Sequence, residues 1–289
     1  PRPDPALKQT SHIPHLPGKS SLRGRVVVMQ GCAQRVLDPQ INLATINLLT
    51  HLGVAVETPK EEGCCGALVH HMGREDDSHA AAKQNIDAWM KLHDEGGLDA
   101  IIITTSGCGT TVKDYGHMLR EDPEYAEKAA LIASLAKDVT EYLTTLDLPE
   151  AKTGAGIKLA YHSACSMQHG QKIKDEPKNL LKRAGFQVVD VPEGHLCCGS
   201  AGTYNILQSE ISDKLKDRKV ANIERMKPDL IAAGNIGCIT QIGGGTDIPI
   251  IHTVELLEWA YGGKRPKKLD GYEFGKTEKP AQPTLQAAE

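Results

Sequence analysis

Aromatic side chains are scarce: Phe, Tyr and Trp together make up 4% of the 289 residues. Stacking on bases or sugar rings is therefore a poor occupation for this chain. A basic excess is missing as well. The 33 Lys and Arg face 37 Asp and Glu, a formal charge of −4, so no positive field invites nucleic acid or an anionic membrane surface. No apolar run approaches the roughly 18 residues of a membrane helix. The strongest, Ala100 to Ile103, is far shorter. No basic-then-apolar segment opens the chain as a secretory signal would. No Gly-x-Gly-x-x-Gly follows a strand, which leaves flavin or nicotinamide binding by this chain unsupported. Gly243-Gly244-Gly245 lacks the Lys-Ser/Thr of a nucleotide loop and reads as a turn.

What is present is an ordinary globular composition, 40% hydrophobic and 24% charged, at a length that favours two domains. The chain starts at Pro1 rather than at methionine, and it reads as a fragment or a trimmed product. Residues 1–23 are polar and carry five prolines, as a linker does. Residues 264–289 have no apolar period and read as a loose tail. Between them, short β-branched runs at 26–29, 54–56, 100–104, 158–161, 187–189 and 230–233 alternate with helical patterns. Those patterns fall at 41–51, 74–93, roughly 123–146, 177–183, 209–225 and 254–259. Such alternation predicts an α/β fold with parallel sheets covered by helices.

The cysteines divide that fold in two. They are Cys32, Cys64, Cys65 and Cys108, then Cys165, Cys197, Cys198 and Cys238, and the two sets are offset by 133, 133, 133 and 130 residues. Chance would place roughly 0.2 adjacent pairs among this many cysteines in such a chain. Two pairs in register mark an internal duplication, with tandem domains at 24–150 and 151–263. Each cysteine falls shortly after an expected strand, on loops at the carboxyl edge of the sheet where ligands collect in parallel folds. Glycine precedes Cys32, Cys64, Cys108 and Cys238 and follows both pairs, as Gly66 and Gly199. That leaves room for backbone N–H groups to approach sulfur. A helix starting just after Cys108 would add a positive dipole end.

Several chemistries could use four such thiols. Buried cysteine packing does not call for this double pattern. Disulfides suit adjacent cysteines and a chain without a secretory signal badly. Zinc knuckles present Cys-x-x-Cys pairs, and the chain has none. An iron–sulfur cluster accepts ligands from widely spaced loops.

The repeated Cys-x31-Cys-Cys-Gly with a distant fourth cysteine resembles the cysteine-rich domain family. That family includes the B subunit of heterodisulfide reductase, lactate-utilisation iron–sulfur proteins and the iron–sulfur subunit of glycolate oxidase. Leu196-Cys197-Cys198-Gly199-Ser200-Ala201-Gly202-Thr203-Tyr204, Ala232-Ala233-Gly234-Asn235-Ile236-Gly237-Cys238 and Pro249–Leu256 look like glycolate oxidase subunits in particular; Gly31-Cys32-Ala33-Gln34 and Ser106-Gly107-Cys108-Gly109 are similar. The resemblance implies an iron–sulfur cofactor of the 4Fe-4S type held by all eight cysteines. It implies electron transfer from a flavin-containing partner subunit that oxidises glycolate to glyoxylate, with no catalytic residue in this chain. It places the protein in the cytoplasm, with an option of peripheral attachment at the inner membrane face through the complex. Two departures stand out. The ferredoxin-like Cys-x-x-Cys runs of full-length glycolate oxidase subunits are absent, and Thr105 and Asn235 occupy positions where heterodisulfide reductase relatives carry an extra cysteine. The rival readings are a lactate-oxidising complex, a thiol–disulfide enzyme and a zinc module.

His162, His169, His195, His70 and His71 lie near the cysteines; one reading makes such a histidine a ligand or proton donor to a cluster, and a hydrogen-bonded loop histidine is the simpler reading of each. The charged run Asp213 to Lys219 reads as a solvated helix face.

Overall fold

A computed structural model describes residues 22–274. Most of the expected linker (1–21) and the end of the expected tail (275–289) lie outside the described residues.

The first half runs β1 (Gly24–Val28), α1 (Gln34–Leu37), α2 (Gln40–His51), β2 (Val54–Glu57), α3 (Ala67–His71), α4 (Glu75–Gly96), β3 (Ala100–Ile103), α5 (Ser106–Lys113), α6 (Tyr115–Met118), α7 (Ala126–Leu135), β4 (Ala136–Asp138) and α8 (Val139–Thr144). The second half runs β5 (Lys158–His162), a π-turn (Ser166–Gly170), α9 (Glu176–Arg183), β6 (Gln187–Asp190), α10 (Tyr204–Leu207), α11 (Ser209–Arg225), β7 (Leu230–Ala233), α12 (Ile236–Gly243), β8 (Ile250–His252) and α13 (Thr253–Ala260). Each half forms one four-stranded parallel sheet, in the orders β2-β1-β3-β4 and β6-β5-β7-β8. The duplication in the sequence is thus a duplication of topology.

The strands are apolar on both faces because helices cover both faces. In the first sheet Val26 and Val28 join Ile41, Leu48 and Leu49 in one core cluster. Val27, Met29, Ile101 and Ile103 join Ile86, Trp89 and Ile132 in another. Each such side chain contributes about 1.5–3 kcal/mol on burial. The first cluster does not stop at the half: it continues through Leu181, Leu256 and Leu257 into the second sheet. Helices α2 and α8 of the first half meet α13 and α9 of the second, so a helix layer lies between the two sheets. Asn47 donates to Glu258 Oε1 (3.1 Å), and the buried ring of His252 donates from Nε2 to the Thr104 carbonyl (2.7 Å) across the same boundary.

Three readings change. The stretch at roughly 123–146, expected to be filled by helices, also contains β4, whose three residues extend the sheet beside β3. Strand β8, likewise unexpected, leads straight into α13. Residues 264–274, expected to begin a loose tail, are folded down: Leu269 is buried, Lys268 reaches the Asp38 carboxylate (2.7 Å), and Phe274 stacks on Trp259. Among the described residues, no helix is long and apolar enough to cross a membrane.

Candidate metal centres

All eight cysteines lie at the carboxyl edges of the sheets, and each set of four converges. In the first half Cys32 follows β1, Cys64 and Cys65 lie between β2 and α3, and Cys108 lies in the first turn of α5. Cys238 lies in the first turn of α12. Cys108 and Cys238 are therefore helical and not loop residues, and their helices begin before them rather than after.

The contacts run in the same order in both sets. Cys32 and Cys64 approach to 3.4 Å between sulfurs, and Cys65 bonds both Cys64 and Cys108. Cys165 bonds Cys197, Cys197 bonds Cys198, and Cys198 Sγ donates to Cys238 Sγ at 3.3 Å. No disulfide joins them. Charge settles on the first member of each pair. Cys64 and Cys197 are each held down to about 2 by hydrogen bonds from the flanking thiols and from backbone N–H groups, including Gly199 N–H to Cys197 Sγ at 3.3 Å. Cys238 is lowered to about 5, first by the Cys198 thiol and then by the His162 imidazole. Cys32, Cys65, Cys165 and Cys198 are pushed up by the neighbouring thiols and by burial. Thiolate is the form that binds metal, and the hydrogen bonds of each set favour it at Cys64 and Cys197.

The glycine after each pair is set by the fold. Gly66 and Gly199 have φ of +83° and +96°, a left-handed conformation that side chains resist. A Cβ there would also press on the Ser78 carbonyl in one half and strike the Ser212 carbonyl in the other. These serines hold the same place, the fourth residue, in α4 and α11.

Thr105 and Asn235, at the positions of an extra ligand, are engaged elsewhere. Thr105 Oγ1 donates to Gln34 Oε1 (2.8 Å). Asn235 caps α12 by accepting from Gly237 N–H (2.8 Å), and its amide donates to Ser106 Oγ (2.8 Å). Ser106 in turn meets Ser166 Oγ at 2.7 Å. The loops of the two thiol sets are thereby tied together.

Of the flanking histidines only His162 joins a thiol set. It is 1% exposed, a ring nitrogen and the sulfurs of Cys198 and Cys238 lie within 4.8 Å of one another, and neither of its nitrogens has a conventional hydrogen-bond partner. His169 contacts the His195 carbonyl, and His70 and His71 lie exposed on α3. Sequence reading missed the residues that brace the loops. Buried Asn85 accepts from Gly63 N–H and donates to the Cys64 carbonyl; buried Tyr115 donates to the Cys65 carbonyl. Lys219 is not on a solvated face: it is buried, donating to the Glu193 carbonyl (3.0 Å) within electrostatic reach of Cys197, Cys198 and Cys238. Burial pulls its ammonium below the usual lysine range while the thiols oppose that.

Comparison with known proteins follows the same outline. The chain is 42% identical over 236 residues to the "Glycolate oxidase iron-sulfur subunit" of Escherichia coli (strain K12), covering 82% of this chain but only 58% of that protein. It is 29% identical over 241 residues to "Lactate utilization protein A" of Geobacillus thermodenitrificans, covering 81% of this chain and 98% of that one. A hypothetical protein from Helicobacter pylori has a similar fold, with a TM-score of 0.60 at 13% identity over 92% of this chain and 54% of that chain. The CCG cysteine-rich domain model matches at residues 26–113 and again at 159–243, spans that contain the two thiol sets, and the chain belongs to that family.

Proposed function

We propose that this chain carries electrons through iron–sulfur clusters in a complex that oxidises a 2-hydroxy acid. The observation that carries the reading is the convergence of eight cysteines into two quartets. The residues suit such a group. Four sulfurs converge from separate loops in each half, backbone N–H reaches sulfur at Gly199, and left-handed glycines bring backbone close to the pairs. Cys32, Cys64, Cys65 and Cys108 would hold one cluster, of the 4Fe-4S type, in the domain 24–150. Cys165, Cys197, Cys198 and Cys238 would hold the other in 151–263. When bound, a cluster supplies one-electron chemistry. The chain's own residues orient the ligands: Asn85 and Lys219 fix the loops before the pairs, and the Ser106–Ser166–Asn235 bonds keep the two sets adjacent.

In this reading the oxidation belongs to a flavin-containing partner that turns glycolate into glyoxylate; the name of the Escherichia coli relative supports glycolate as the substrate. A second reading, lactate as substrate, is favoured by the lactate utilization relative, which this chain matches over 98% of its length. The complex would work in the cytoplasm, where thiols stay reduced.

The test is anaerobic purification with iron, acid-labile sulfide and zinc measured together, and paramagnetic resonance on the reduced protein. Iron with matching sulfide is expected, about half of it lost in Cys64→Ser/Cys65→Ser and half in Cys197→Ser/Cys198→Ser. Stoichiometric zinc without sulfide would overturn the reading. With the flavin partner added, the rate of cluster reduction by glycolate against lactate separates the two substrates.

A further inference from the structure

The two thiol sets make the same contacts in different surroundings. The offset that relates the cysteines pairs Met29 with His162, both buried at the carboxyl end of the first strand of their sheet. One half presents an apolar thioether there and the other an imidazole. An imidazole at 1% exposure with no nitrogen or oxygen partner is costly to bury, because a thiol sulfur is a weak replacement for the water bonds it loses. The two sulfurs it faces are those of Cys198 and Cys238. Whatever the thiols hold therefore lies within reach of this ring.

A second difference points the same way. Helices α4 and α11 each place their eleventh residue behind the cysteine pair: neutral Asn85 in the first half, the buried ammonium of Lys219 in the second. Two residues before each pair stand Glu62 and His195. At both of these positions the second half is less acidic or more cationic than the first. A site with fewer anionic ligands and more positive surroundings is a chemically different site.

We propose that His162 is a metal ligand of the second centre, which is a mixed histidine–cysteine site, while the first is built from thiolates alone. The proposal rests on the reading that the quartets hold metal. The bond is dative: neutral His162 gives a nitrogen lone pair to the metal, the other ring nitrogen keeps its proton, and nothing is oxidised or reduced.

The experiment isolates the second set by Cys32→Ser/Cys64→Ser, labels the full chain with 15N-histidine and reconstitutes it without oxygen using iron and sulfide. Pulsed paramagnetic resonance then reads the nitrogen coupling. A directly bonded nitrogen gives a coupling several-fold larger than a hydrogen-bonded one. That large coupling is expected in the isolated second set, and its loss is expected in His162→Met, which installs the first half's own residue and keeps the iron. The mirror chain, Cys197→Ser/Cys198→Ser, should show no such coupling. A small coupling, or a large one that survives His162→Met, overturns the assignment. If iron and sulfide do not bind, the cluster reading fails separately, and cobalt(II) alone becomes the probe. A thiolate-to-cobalt absorption band with bound 15N, both altered in His162→Met, supports the proposal on its own; binding of neither metal overturns it.

Discussion

Gly66 and Gly199 show why the pair of cysteines is followed by glycine in both halves. The conformation is left-handed, and the neighbouring helix brings a serine carbonyl against the missing Cβ. Gly199→Ala should therefore destabilise the metal-free protein by about 2 kcal/mol or more, combining left-handed strain with the clash. Gly73→Ala is the control: φ is +75° but nothing lies within 4 Å, so about 1 kcal/mol is expected. Denaturant unfolding of both variants compares them directly. Equal losses would mean that the Ser212 carbonyl moves aside. At this scale the cysteines and glycines were readable because chemistry and backbone geometry leave few substitutes for them. Lys219 was not, and His162 stood out only as one of five histidines near the cysteines. A lysine inside a charged helical run looks solvated until the turn of the helix is known, and a histidine near a cysteine shows neither its burial nor its missing partners.

Among the elements, short β-branched runs and glycine stops marked β1 to β3 and β5 to β7 within a residue or two. Helix α11 runs over the residues its pattern marks, Ser209–Arg225. Strands β4 and β8 escaped notice because each leads straight into a helix with no turn residue to mark its end. Those two strands deliver the N-termini of α8 and α13, both closed by capping boxes, Asp138 with Glu141 and His252 with Glu255. Glu255 is buried beside Asp38, Lys268 and Glu258, and burial raises its carboxyl from 4.5 to about 7. The folded chain thus keeps a proton that the unfolded chain releases above about 4.5. By linkage this stabilisation is fully present below pH 4.5 and is lost as the pH rises towards 7. In Glu255→Gln the group no longer titrates. The thermal midpoint of the metal-free variant should fall less than that of the parent protein over that window. Parallel slopes would show that Glu255 is not the group responsible.

Over the whole molecule, two similar sites are held side by side with unequal surroundings. Buried Lys219 faces the second thiol set, and neutral Asn85 holds the same place behind the first. A nearby cation favours the reduced, more negative form of a cluster. The second centre should therefore titrate at the higher potential and receive electrons from the first. Lys219→Met should lower the second potential and leave the first in place, as read by a redox titration followed by paramagnetic resonance. A shift in both, or in neither, would remove the lysine from the account. The order of the sites was not legible in the cysteine spacing, which is nearly identical in the two halves. It lies in positions that matter only after folding.

The helix layer between the sheets has a further consequence. Helix α2 meets α13 as α9 meets α8, and α2 and α9 follow the first strand of their sheets while α8 and α13 follow the last. This pairing is the one an approximate internal two-fold would give, so a solitary half would own a largely self-complementary face and could close on a twin of itself. In such a twin every residue is present twice, and both centres are obliged to be alike. Joining the halves in one polypeptide lifts that obligation. A methionine can stand opposite a histidine and an asparagine opposite a lysine, and a symmetric pair of sites acquires an upstream and a downstream end.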